Sequence, residues 1–153
     1  LPNPPLWNIT MSPELIEQLV LNYLEFFPPD GTPSGRRSRD IDCGDGWYFL
    51  IDELFGFLRW QVVITPLERM RQPVVCRIDR DRGHLRIRFQ RPTKPVQLLA
   101  EFVQSLAMTT CDICGLRGSS NVNDHGISVV RCPHHKCSVM CGGASGATIK
   151  AGN

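Results

Sequence analysis

No apolar run in this 153-residue chain approaches the roughly 20 residues that a bilayer-spanning helix requires, so no membrane partner is expected. The opening stretch LPNPPLWNIT has no basic segment leading into an apolar one, so no secretory signal is read there. A dominant charge is missing as well. Seventeen Lys and Arg stand against 15 Asp and Glu, a formal +2, so any affinity for nucleic acid has to rest on where the basic residues sit. There is no internal repeat, no H-E-x-x-H helix and, after Cys111, no glutamate. These absences remove the helix of a zinc protease and the H-x-E general acid/base of a deaminase-type zinc site.

What is present reads as one globular domain carrying a small appended module: 42% of residues are hydrophobic and 21% charged. Residues 1–10 are proline-rich and expected to form an extended arm. Ser12, Pro13 and Glu14 make a helix start, with a capping hydroxyl, a preset φ and an acid near the positive end of the dipole. Leu15, Ile16, Leu19, Val20, Tyr23, Leu24 and Phe27 then recur at helical spacing for about four turns, until Pro28 and Pro29. A polar loop follows, and its Arg36, Arg37 and Arg39 read as solvated. The second helix is expected from about Trp47 to Trp60. It is apolar around much of its circumference through Leu50, Ile51, Leu54, Phe55, Phe57 and Leu58, and so is expected to be the most buried.

Residues 74–79 and 84–90 alternate apolar and polar side chains around RDRG, which predicts a β-hairpin. Val74, Cys76 and Ile78 are expected on its dry face, together with Leu85, Ile87 and Phe89. The other face then collects Arg77, Arg86 and Arg88, flanked by Arg80, Arg82 and Arg91. A third helix is expected over 94–108, with Val96, Leu99, Ala100, Val103 and Leu106 turned to the core. The fold class predicted is α+β: helices on a small antiparallel hairpin over residues 1–108, a zinc-ribbon-like module over 109–141, and a flexible Gly-rich tail over 142–153.

Five of the seven cysteines, Cys111, Cys114, Cys132, Cys137 and Cys141, fall in one stretch with His125, His134 and His135. Such clustering points to a metal in a reducing compartment more than to a disulfide framework. Cys111 and Cys114 form a Cys-x2-Cys knuckle followed by Gly115, and Cys132 and His135 repeat the same step. The seventeen residues between the pairs have room for a strand in GISVVR. Three cysteines and one histidine make a tetrahedral Zn2+ site, and four full-strength ligands make it structural. His134, Cys137 or Cys141 could replace His135, or form a second site with His125. The all-cysteine set Cys111, Cys114, Cys132 and Cys137 is the chief rival.

CGDGWYFLIDEL at 43–54, GHLRIRF at 83–89 and the two Cys/His pairs resemble, in order and spacing, a group of short phage and prophage proteins. In that group a Gly-Asp-Gly-Trp helix start precedes a G-x-L-R hairpin strand and a C-terminal zinc knuckle. The resemblance covers roughly residues 40–136. It implies zinc ligands at Cys111, Cys114, Cys132 and His135, and no known reaction. This chain departs from the group in having DRDRG where members carry a Lys-Glu-Lys-like stretch before the hairpin glycine. In residue terms, Asp45 is expected to cap the second helix, and Trp47 to pack back on its first turns. Asp45 and Asp52 are seven apart and have no partner base. Cys43 and Cys76 are the only other thiols that could serve as nucleophiles.

No catalytic constellation is recognisable, so a non-enzymatic role is expected. The resemblance to small phage proteins implies a role in occupying a host protein's surface, for example by blocking a defence complex. A host protein in the bacterial cytoplasm is therefore the expected partner, with no small-molecule substrate. The alternative is a zinc-containing nucleic-acid binder that uses Arg77, Arg86 and Arg88.

Overall fold

The computed structural model describes residues 9–27, 29, 40–65, 72–123 and 126–136. Helix α1 (Pro13–Asn22) begins on its proline, with Glu14 in the first turn. Ser12 makes no side-chain cap; its backbone N–H donates instead to Asp45 Oδ1 at 2.6 Å. The helix is also shorter than its periodicity suggests. Tyr23 leaves helical geometry at φ −132°, and a 3-10 turn follows at Leu24–Phe26. That break lets two consecutive rings enter the core, because Phe26 and Phe27 both pack on Phe55 with centroids 5.5 Å away.

A three-stranded sheet of order β1-β2-β3 lies at the centre. The hairpin is as expected in kind: β2 (Val75–Asp81) pairs antiparallel with β3 (His84–Phe89). Its two-residue turn has positive φ at both Arg82 (51°) and Gly83 (82°), the handedness that matches strand twist. Strand β1 (Ile41–Asp42) lies in what reads as loop sequence and pairs parallel with β2, Ile41 beside Ile78 and Asp42 beside Asp79. A β-bulge between Val75 and Arg77 corrects the expected facing. Val75 and Ile78, three apart, are both sealed in the core, whereas Val74 and Cys76 are only half-buried. Beyond the bulge Arg80 pairs with Leu85, and its side chain turns inward, away from the other arginines.

Helix α2 (Tyr48–Ile64) buries Ile51, Leu54, Phe55 and Leu58, one 3.6-period stripe. The expectation that it is the most enclosed helix fails, because Phe49, Phe57, Trp60, Val63 and Ile64 stand exposed on the side that nothing covers among the described residues. Helix α3 (Lys94–Ala107) buries Val96, Ala100, Val103 and Ala107 against β3 and α2; Leu106, expected inside, is exposed. The start of α2 meets the end of α3, since the Trp47 indole N–H donates to Thr110 O at 2.9 Å. The two helices therefore run antiparallel.

The remaining elements are the hairpin of β4 (Ser119–Val122) with β5 (Ser128–Arg131), and the single turn α4 (Pro133–Lys136). The fold is thus α+β, with four helices and five strands among the described residues. Val130 of β5 belongs to the same buried cluster as Trp47, Phe55 and Ile78, and β5 packs on β3. The two hairpins meet closely at Gly83, where a Cβ would lie 2.1 Å from Ser128 O.

A pair of glycine substitutions separates backbone strain from that close approach. Gly126 has a similar φ of +72° but nothing within 4 Å, so Gly126→Ala is expected to lower stability by about 1 kcal/mol from φ alone. Gly83→Ala adds the displacement of β5 and is expected to lose about 2 kcal/mol more, read from urea unfolding. Equal losses would mean that the two hairpins do not bear on each other.

Candidate metal centre

The loop after α3 returns sharply on itself. Cys111 N–H donates to Leu116 O at 2.8 Å and Gly115 N–H to Cys111 O at 3.0 Å, while Thr110 bridges to Arg117. Gly115 takes φ +75° to allow it. At the end of β5 a second turn forms, where His135 and Lys136 N–H groups both donate to Cys132 O at 3.0 Å. Each turn thereby brings two residues three apart to one point.

Those points coincide. The Sγ atoms of Cys111, Cys114 and Cys132 and a ring nitrogen of His135 all lie within 4.8 Å of one another. Cys114 and Cys132 sulfurs are 3.6 Å apart; His135 Nδ1 is 3.6 Å from Cys111 Sγ and 3.1 Å from Cys132 Sγ. A tetrahedral ion bound at about 2.3 Å to sulfur and 2.05 Å to nitrogen has edges of about 3.8 Å (S···S) and 3.6 Å (S···N), so the donors fit one four-coordinate metal. The cysteines are free thiols. Burial works against ionisation at Cys132, but hydrogen bonding from His135 and Cys114 outweighs it and pulls the thiol down to about 6, which favours the metal-binding thiolate. His134 is exposed on α4 and stands apart from the cluster. His125, Cys137 and Cys141 lie outside the described residues, as do Arg36, Arg37, Arg39 and the Gly-rich tail.

The knuckle is seated on the Cys43–Trp47 segment. Gly46 N–H donates to Asp112 O at 3.0 Å. A Cβ on Gly44 would lie 2.0 Å from Asp112 O, and one on Gly46 would lie 2.1 Å from Cys111 O. The glycines of Gly-Asp-Gly-Trp are therefore there to let two backbones touch. Asp45 does not cap α2 as expected; it holds Ser12, and Trp47 reaches across to α3. Asp52 accepts a hydrogen bond from the Tyr23 hydroxyl at 2.9 Å, so the two acids are separately engaged. Cys43 is sealed, and burial pushes its thiol up to about 12, which keeps it protonated and unreactive.

The residues that sequence reasoning missed lie next to the ligands. Asp112 is fully buried, with Arg131 Nε 2.7 Å and an Arg80 terminal nitrogen 3.4 Å from its carboxylate. Burial pushes this carboxyl up, against the pull of Arg80 and Arg131. Arg80 also lies over Trp47, 5.9 Å from the ring centroid. The one signal in the sequence was adjacency: Asp112 follows Cys111 and Arg131 precedes Cys132.

The hairpin's outer face does bring Arg77, Arg86 and Arg88 together, with Arg77 opposite Arg88. It brings acids too. Arg77 pairs with Asp79 at 2.7 Å and Arg86 approaches Asp81 at 3.8 Å, while Asp42 lies beside Asp79 on β1. Three arginines thus share their face with three aspartates. No protein-family model, curated protein or solved structure matches this chain.

Breaking the buried triad is expected to be far more damaging than breaking a surface pair. Asp112→Asn strands two guanidinium groups in the interior and is expected to remove about 3–5 kcal/mol of stability. Asp81→Asn, in a solvent-exposed pair, is expected to change it by less than about 0.5 kcal/mol. Urea unfolding of both variants checks the contrast; a small loss for Asp112→Asn would mean that water reaches the triad.

Proposed function

We propose that the cluster holds one Zn2+ and that the protein is a zinc-stabilised, non-enzymatic module that binds another protein. The observation that carries this is the donor set: three sulfurs and one imidazole complete a tetrahedral ion and leave it no position for water or substrate. Cys111 and Cys132 are buried beside the core, and Cys114 alone of the four is open to solvent, which suits a metal that fastens chain segments. The partner, following the likeness to small phage and prophage proteins, is a host protein in the bacterial cytoplasm, and occupying its surface, as in blocking a defence complex, is the activity.

Nucleic-acid binding through Arg77, Arg86 and Arg88 is the competing role. The interleaved Asp42, Asp79 and Asp81 weigh against it, since they offset the field a phosphate backbone requires. The two are separated by recovering partners from host lysate with and without nuclease, using the natural chain and an Arg77→Glu/Arg86→Glu/Arg88→Glu variant. A stoichiometric protein complex that survives nuclease supports the module. Recovery of nucleic acid alone, lost in the variant and with salt, assigns the arginine face instead.

Metal analysis is expected to find one zinc per chain. Chelation or Cys132→Ser is expected to open residues 109–136 to amide exchange and to lower the melting temperature steeply, since structural zinc supplies folding free energy on the order of 10 kcal/mol. His134→Ala is expected to keep its zinc. Unchanged melting after the metal is stripped would refute a structural role.

A further inference from the structure

The face left open by α2 and α3 has no part in the arginine hairpin, and it borders the metal centre only at Phe49, which lines a cleft with Thr110, Cys114 and Gly115. Along α2 it carries Phe49, Phe57, Trp60 and Ile64, and along the antiparallel α3 it carries Leu98 and Phe102, each 43% to 66% exposed. These six side chains present on the order of 700 Å² of largely apolar surface. The largest patch on a typical monomer is about 300–600 Å², and each partner in a stable complex covers about 800 Å². The Phe57 and Trp60 rings already pack on each other at 5.7 Å, forming an aromatic ridge of the kind that anchors interfaces.

Two further features bear on what covers the face. It is nearly uncharged. Glu53 is the one acid on the α2 stripe, Arg59 is tied to Glu25 and Asn22 on the α1 side, and Glu101 accepts from Gln97 and lines the cleft toward β3. Such a face asks for no partner of opposite sign. It also carries Gly56, exposed in mid-helix, where only Tyr23 Oη lies within 4 Å of an added Cβ, at 3.5 Å. A mid-helix glycine disfavours the helix by about 1 kcal/mol relative to alanine, and here it leaves a notch beside Trp60 that a facing ring can enter.

We propose that this face is a self-association surface. Two copies of the chain lay α2 and α3 together about a two-fold axis, forming a four-helix layer with the metal knuckle at its rim, beside Phe49. A neutral apolar face on two antiparallel helices is self-complementary, and its area is what one half of a stable dimer contributes. This does not depend on the identity of any host partner.

Sedimentation equilibrium of the metal-loaded full chain is the test. A dimer is expected, insensitive to added salt. Trp60→Glu and Phe102→Glu are each expected to weaken it at least about tenfold while helical circular dichroism and bound metal stay unchanged; Arg86→Glu is expected to leave it intact. Phe102→Ser replaces any glutamate variant that loses helical signal. A natural chain that stays monomeric at submillimolar concentration would overturn the proposal, whether a foreign partner or another segment of the chain covers the face. So would a dimer that none of the α2 and α3 substitutions weakens.

Discussion

A carboxylate with no access to water holds the two ends of this molecule in register. Asp112 is tied on three sides: its carboxylate is ion-paired with Arg131 and Arg80, its N–H donates to Val130 O, and its C=O accepts from Gly46. Burying that charge is unfavourable unless both guanidinium groups arrive with it. Arg80 is carried by β2 and Arg131 by β5, so satisfying one side chain requires the central sheet, the C-terminal hairpin and the Gly44–Gly46 segment to converge. Cys111 and Cys132 are the immediate neighbours of Asp112 and Arg131, so the same convergence sets two ligands side by side.

The rest of the architecture follows from that junction. Backbone contact at Gly44 and Gly46 places Trp47 under Arg80 and against the end of α3, which fixes where α2 starts. Farther along α2, the Tyr23 hydroxyl donates to Asp52, and Arg59 lies 4.6 Å from the Tyr23 ring centroid, so α1 is bound to one flank. Burial and the Asp52 carboxylate push that phenol up to about 12, consistent with a donor kept protonated. With α1 on one flank and α3 on the other, the outward side of α2 is left bare.

Local chemistry was legible in the sequence; long-range pairing was not. The two three-residue ligand steps, the hairpin and the helices declare themselves within windows of a few to twenty residues. Alternation in VVCRID is compatible with more than one phase, and nothing local marks a bulge, so the pattern alone points to Val74 and Cys76 and not to Val75. Arg80 resembles its neighbours Arg77 and Arg82, and only Asp112, far along the chain, distinguishes it. The two residues of β1 are too few for a pattern. For α2, an apolar circumference predicts burial, although hydrophobicity says that a side chain avoids water and not that the fold has something to cover it with.

The sharing of Val130 with the central core has a consequence for how the protein is made. Val130 lies in one apolar cluster with Leu19, Trp47 and Ile78, so segments from near the start and near the end of the described chain close a single interior. During synthesis, α1 and the first hairpin leave the ribosome while the strand that seals them is still untranslated. Arg80 meanwhile waits in water for a carboxylate some thirty positions behind. The interior therefore closes late, after translation has passed the second pair of ligands, and until then the nascent chain depends on being kept from other chains.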